Sequence, residues 1–293
     1  MKPARAVAPY LFLAPALLVF GFAVLVPLVV TVGYSFTDWD GFGAMTWVGI
    51  DNYLRAARDP IFRDSFLHVL GYIGATIVLE VMVGLGLAGL LTARRNRSVW
   101  FRVAIFTPVM LPLVVVAVLW SFVYNPDFGL VNAGLAAAGL EHLQRIWLGD
   151  PSTALLAISV VSGWVFAGFF MTIFYAAFSQ VPSEVVEAAR LDGAGEWAIF
   201  RLVKVPMIRN VIAVAVLLCV TGGFQGFDLF FVLTNGGPFG LTEIPTTYLV
   251  KVVFRNADVG YGSALAVVLT LVVVSVGLAF IRLQRSRARV RPA

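Results

Sequence analysis

In the stretch EVVEAARLDGAG, residues 184–195, Glu184, Glu187 and Arg190 recur every three residues and Asp192 precedes Gly193. At that spacing the charged groups share one broad helical face, and Glu187 and Arg190 can pair. Such a face suits docking or a surface. The residues that catalysis needs are absent or scattered. His68 and His142 stand apart, and there is no H-E-x-x-H, no G-x-S-x-G and no pair of aspartates inside an apolar run. Cys219 is the one cysteine and lies in an apolar run, which excludes an internal disulfide and a cysteine-based metal motif. No G-x-x-x-x-G-K-[ST] phosphate loop occurs, and GLGLAG sits within an apolar run where its glycines serve helix packing. We therefore expect neither a catalytic residue nor a metal ligand.

What remains is a small set of polar and aromatic groups on apolar segments. Glu80 is the only carboxylate well inside such a segment, where a charge faces a bundle interior or a water-filled path, or hydrogen-bonds a neighbouring helix. Trp164, Phe166, Phe169, Phe170, Phe174 and Tyr175 crowd one span, and Gln225 and Asp228 stand near the end of another. Flat rings with a few hydrogen-bonding groups suit a sugar, although rings of this kind also pack or face lipid. Glu80, Phe169, Phe170, Gln225 and Asp228 are the candidate path residues.

The elements that would position these groups follow from composition. The 293 residues are 60% hydrophobic and only 13% charged, against roughly 25% in soluble domains. Mean hydropathy is +0.92, which places the chain in a membrane. Six segments reach the ~20 apolar residues that a bilayer core requires. They lie within 6–37, 65–93, 103–124, 151–183, 210–227 and 259–281. With both termini inside, cytoplasmic segments hold 15 Lys and Arg, among them Lys2, Arg94, Arg95, Arg97 and Arg291, and external ones hold 6. The positive-inside rule favours that orientation. The basic start and apolar run at the N-terminus resemble a signal peptide, but the run outlasts the ~7–15 residues of a signal core, so an uncleaved first span is expected. The expected fold class is an all-α membrane protein of six transmembrane helices with cytoplasmic termini. The basic pI of about 9.6 then reports orientation, and the arginine-rich tail anchors on anionic headgroups rather than on nucleic acid.

EVVEAARLDGAG falls between the fourth and fifth spans, on the cytoplasmic side. Pro182–Ser183 opens a helix that Ser183 can cap, with Glu184 at the positive end of its dipole. Asp192–Gly193 ends it, because glycine accepts a left-handed backbone cheaply. GEWAIFRLVKVP forms a second helical piece leading to Pro206. This is a compact elbow, and periodicity alone admits both a headgroup-resting amphipathic helix and a protein-docking peg.

EAARLDGAGEWAIFRLVKVP resembles the EAA motif of binding-protein-dependent ABC importer permeases: E-A-A, three residues, G, nine residues, I-x-L-P. Glu187, Ala188, Ala189, Gly193 and Pro206 match in place, with Val203 and Val205 where the family has Ile and Leu. The resemblance runs over nearly the whole chain and narrows to the carbohydrate-type group that includes maltose and glycerol-phosphate permeases. SFTDWDG with WVGIDNYLRAARDPIFRDSF is similar to their first external loop. NPDFGLVNAGLAAAGL and WLGDPSTALLAISVVSGWVFAGF resemble their third-to-fourth-span stretch, and Thr234–Pro238 carries their T-x-G-G-P element. The second span departs from them, beginning HVLGYIG where these permeases often read N-T.

The resemblance implies a type-1 ABC importer transmembrane fold in a multi-pass protein of the bacterial plasma membrane. It implies alternating-access movement of a sugar-class solute through a pore shared with a second permease subunit. It also implies two ABC ATPase subunits that bind ATP and magnesium, and an extracytoplasmic solute-binding protein that carries much of the selectivity. Glu187, Ala188, Ala189, Gly193 and Pro206 would then couple this chain to an ATPase, while this chain binds no cofactor. The expected division is residues 1–64 for the first span and external loop, 65–282 for the transmembrane core with the elbow at 183–206, and 283–293 for the tail. Two other classes compete: an ion-coupled secondary transporter and an intramembrane enzyme. The first relies on ionisable groups and repeats inside the membrane, and this chain offers a single buried carboxylate and no evident repeat.

Overall fold

The computed structural model describes residues 4–93 and 98–289. Lys2, Arg94, Arg95, Arg97, Arg291 and residues 290–293 of the basic tail lie outside these. The chain is predominantly helical. Helix α1 runs through Ala4–Phe20, a π-helical stretch at Gly21–Leu25 and Val26–Tyr34; α2 is Asp51–Arg58. Helix α3 joins Pro60–Thr76, a π-helical stretch at Ile77–Met82 and Val83–Ala93. Helices α4 (Ser98–Phe106), α5 (Leu113–Val123) and α6 (Leu130–Ala137) precede α7 (Ala154–Phe178) and α8 (Ser183–Leu191). Helix α9 covers Glu196–Met207 with a π-helical middle, and α10 (Arg209–Phe224), α11 (Phe227–Leu233), α12 (Pro245–Phe254) and α13 (Val259–Arg289) complete the chain. The only sheet among the described residues is the antiparallel ladder β1 (Thr37–Asp38) with β2 (Thr46–Trp47), pairing Thr37 with Trp47 and Asp38 with Thr46.

Four of the described helices are continuous, long and apolar enough to cross a bilayer: Phe12–Tyr34 of α1, Pro60–Thr92 of α3, α7, and Val259–Arg282 of α13. The third segment, 103–124, is broken within its length, whereas the fifth, 210–227, follows a bend at Ile208. Val99–Met110 and Leu113–Val123 meet at 99°, and Glu196–Met207 and α10 meet at 73°. The first break follows from Pro112. A residue before proline is pushed out of helical space, and Leu111 is extended at φ −83°, ψ 140°. If each bent pair counts as one span, the total reaches six.

The chain divides into two compact units, Met1–Arg63 with Leu249–Ser275 and Asp64–Tyr248 with Val276–Ala293. In the first, buried Asn52 on α2 donates to the Ser35 and Thr37 carbonyls at 3.1 and 2.8 Å, fixing the end of α1. Asp59 accepts from the Tyr261 hydroxyl at 2.7 Å, and Arg55 pairs with Asp258 at 2.6 Å while lying over the Tyr261 ring. No residue of the apolar Phe12–Tyr34 stretch is fully buried against the chain itself.

In the second unit α7 is the central helix, with buried residues on every turn from Ala154 to Phe178. A helix apolar all round is what burial in a membrane bundle requires. Helix α3 packs on it closely because Gly84 leaves no Cβ, which would sit 2.8 Å from the Met171 nitrogen. On the α4 side, a Cβ at Gly168 would reach within 2.1 Å of the Ile105 carbonyl oxygen. Phe170, Met171, Phe174, Val81, Leu85, Ala215 and Cys219 form the core they share with α10.

Candidate functional site: an exposed elbow and a buried polar network

Helix α8 opens after Pro182, and its N-terminus makes no side-chain cap, so the expected cap by Ser183 is not formed; Ser183 is the first helical residue. At the other end Gly193 adopts φ +83°. Its N–H donates to the Arg190 carbonyl, and the Ala194 N–H reaches back to the Ala189 carbonyl, both at 3.0 Å. These two bonds are the Schellman closure, which needs a left-handed residue at this point. The E-A-A-x-x-x-G spacing thus acquires a local reason, since Ala189 supplies the carbonyl that the Ala194 N–H reaches and Gly193 the left-handed residue between them.

Arg190 does not pair with Glu187 as its spacing allows. It turns across the loop to Glu196, with Nη2 2.7 Å and Nε 3.2 Å from Oε1. Both side chains are more than half exposed, so the bridge across the loop between α8 and α9 contributes at most about 1 kcal/mol. Helix α9 is anchored where α8 is not. Ile199 is fully buried, and Phe200 packs edge-on against Phe178 of α7 at 5.8 Å while Trp197 stacks on it at 5.5 Å. By contrast no residue of α8 is buried, and Leu191 is 90% exposed. The elbow is a free-standing helix on a footing wedged into the bundle. Pro206 lies in the last turn of α9, before the bend into α10.

Of the candidate path residues, Glu80 sits in the π-helical stretch of α3 and is 5% exposed. Such stretches often occur at functional sites. Its Oε1 accepts from the Ser162 hydroxyl of α7 at 2.6 Å, and Ser162 accepts from the Tyr72 hydroxyl at 2.8 Å. The Cys219 thiol of α10 lies 3.6 Å from Oε2 and 3.4 Å from the Thr76 hydroxyl. One carboxylate therefore links three helices through a closed network. Tyr72, Thr76 and Glu80 are four apart in sequence and so share one face, a signal readable beforehand; the partnership of Ser162 and Cys219 depends on tertiary register.

The remaining candidates are not brought to Glu80 by any hydrogen bond among the described residues. Phe170 is buried in the core and Phe169 is half-buried against its edge at 5.4 Å. Gln225 is exposed where α10 ends, and Asp228 stands in the first turn of α11, where the helix dipole favours a carboxylate. His68 bonds the Glu243 carbonyl at 2.9 Å, and His142 is exposed in a short turn. Among the described residues no cluster of three His, Cys, Asp or Glu could hold a metal.

A further organising residue escaped the sequence. Asn132, 7% exposed, donates to the Pro126 and Arg145 carbonyls and accepts from the Trp147 indole at 2.8 Å. It ties together the loop before α7. In that loop, hydrogen bonds from the Ser152 N–H and hydroxyl, with a smaller contribution from the Arg145 charge, hold the Asp150 carboxyl below the usual aspartate range.

Residues 81–290 match the family described as binding-protein-dependent transport system inner membrane component. The probable ABC transporter permease protein YurN of Bacillus subtilis is 38% identical over 93% of this chain and 94% of its own length. The probable starch degradation products transport system permease protein AmyD of Thermoanaerobacterium thermosulfurigenes is 28% identical, covering 95% of this chain and 94% of its own. A bacterial alginate ABC transporter, crystallised with an alginate pentasaccharide-bound periplasmic protein, superposes with a TM-score of 0.84. That match covers 97% of this chain and 96% of the other at 19% identity, which establishes likeness of fold.

Proposed function

Because the chain belongs to the family of binding-protein-dependent transport system inner membrane components, and is thus a multi-pass permease subunit and not an enzyme, we propose that it is one half of an ATP-driven importer's pore. In this reading six spans, the third of them bent and the fifth formed by α10, carry both termini on the cytoplasmic side. Residues 65–282 form the transmembrane core, 1–64 supply the first span and external loop, and 283–293 the basic anchor. The partners are a second permease, two ABC ATPases that bind ATP and magnesium, and an extracytoplasmic binding protein. The solute is of the sugar class, as the names of the starch-product permease and the alginate transporter suggest.

The observation that carries the reading is the elbow: an unburied α8 closed at Gly193 and footed through Phe200 on α7. ATPase closure pushes Glu187–Gly193, the footing transmits the push to α7, and the bend before α10 lets the bundle open to the other side. Glu80 ties the moving helices together rather than touching solute, and Gln225, Asp228 and Phe169 are the groups left to meet it.

Proteoliposomes test this directly. The four-subunit complex with binding protein and internal ATP should accumulate solute, whereas this chain alone under an ion gradient should not. Uptake by the chain alone would replace the proposal with a secondary transporter. Gln225→Ala should lower uptake while binding-protein-stimulated ATP turnover persists; unchanged uptake would remove Gln225 from the path.

A further inference from the structure

A groove of about 350 Å³ lies between the end of α3 and α9, lined by Gly86, Gly89, Leu90, Trp197, Phe200 and Lys204, with Glu196 at its edge. Trp197, Phe200 and Lys204 are spaced three and four apart, so one face of α9 supplies them all. Phe200 closes one end, because a Cβ at Gly89 would lie 2.4 Å from its ring. At Gly86 the space is open, with nothing within 4 Å of where a Cβ would be. Leu90 and Trp197 are 70% and 71% exposed, so the chain itself does not fill the groove.

The rim charge is positive. The Glu196 carboxylate is engaged by Arg190, whereas Lys204 makes no ion pair among the described residues. Arg201, one helical turn from Trp197, is exposed beside it. Helix α9 meets α10 at 73°, so when α10 crosses the bilayer α9 runs closer to its plane. A tryptophan and a lysine on such a helix settle at headgroup depth. An apolar floor with a cationic rim at that depth complements an acyl chain joined to a phosphate.

We propose that this groove binds one anionic phospholipid, its chain between Gly86 and Trp197 and its phosphate at Lys204. The bound lipid would brace the footing of the elbow. The assignment rests on α10 crossing the membrane and not on the coupling role of α8. Discs carrying the same lipid in both leaflets keep the test independent of which side the elbow faces.

The test uses the complete complex in phosphatidylcholine nanodiscs doped with brominated phosphatidylglycerol or brominated phosphatidylcholine. Quenching of Trp197 is read as the difference between wild type and Trp197→Phe. The glycerol lipid should half-saturate quenching at about five-fold lower mole fraction, the effect of one cation at the surface. Lys204→Gln should abolish that preference, and Gly86→Leu, which fills the open space, should remove quenching by either lipid. Native mass spectrometry should show wild type retaining one phosphatidylglycerol more than Lys204→Gln, a readout that does not need the tryptophan variant. Equal quenching by the two lipids, or a preference that survives Lys204→Gln, would overturn the site. An unquenched Trp197 would also overturn it, and would mean that a protein partner covers the groove.

Discussion

Gly193 shows how a single residue can decide an element's shape. A Cβ there would meet nothing within 4 Å, so substitution acts through its φ of +83° and not through packing. Gly193→Val should strain the elbow by about 1–2 kcal/mol, whereas Gly193→Asn should be tolerated, since asparagine visits this conformation. Binding-protein-stimulated ATP turnover should therefore fall several-fold in the first variant and little in the second. Equal behaviour of the two would show that the closure is irrelevant to coupling. At Glu80, truncation to alanine leaves the buried Ser162 hydroxyl without its acceptor, at a cost of about 1–3 kcal/mol. Glu80→Gln keeps an acceptor oxygen, so thermal unfolding should separate the two variants. Glu80 could be singled out from the sequence as a carboxylate among apolar residues, but not its role as a tie, because Ser162 and Cys219 are distant in the chain.

Asp150 carries a pH prediction at the same scale. Its folded-state pKa is depressed, so its contribution is complete above the unfolded value of about 3.9 and is lost only as pH falls through the lower folded value. The hydrogen-exchange protection factors of residues 144–153, corrected for the intrinsic pH dependence of amide exchange, should accordingly be constant from neutrality to pH 5 and fall only under stronger acid. Ser152→Ala, by removing the hydroxyl donor, should move that onset upward; loosening already at pH 6 would refute the assignment.

At the scale of elements, long apolar runs with no interruption were legible, and α7 and α13 lie where hydropathy puts them. The bends were not. Pro112 marks a break, but its 99° depends on Leu111 being extended and on α5 finding its own packing against α11. The elbow's two helices and its glycine stop could be read from spacing, whereas the Arg190–Glu196 bridge could not, since a loop brings those side chains together. Close packing of α4 on α7 should be sensitive to one methyl group. Gly168→Ala drives a Cβ against the Ile105 carbonyl and should destabilise by about 1–3 kcal/mol in a thermal melt of the purified complex. Gly222→Ala, with open space around it, serves as the control and should be neutral or slightly stabilising. Indistinguishable melts would mean that the two helices do not pack as described.

For the whole molecule, composition and the length of the apolar runs carried most of the information about fold class, because the bilayer permits so few backbone solutions. No residue of the Phe12–Tyr34 stretch or of α8 is fully buried within the chain. The proposed coupling requires α8 to be a cytoplasmic peg seated in an ATPase. Leu191, 90% exposed, offers the direct measurement: Leu191→Cys in a Cys219→Ser background, probed in membrane vesicles of each orientation. An impermeant thiol reagent should label the introduced thiol only in inside-out vesicles, and a short reducible thiol-to-thiol linker should join it to a cysteine introduced into the surface cleft of the ATPase subunit and arrest ATP turnover until reduced. Labelling from the outer side, or a complex in which that thiol links to no ATPase, would contradict it.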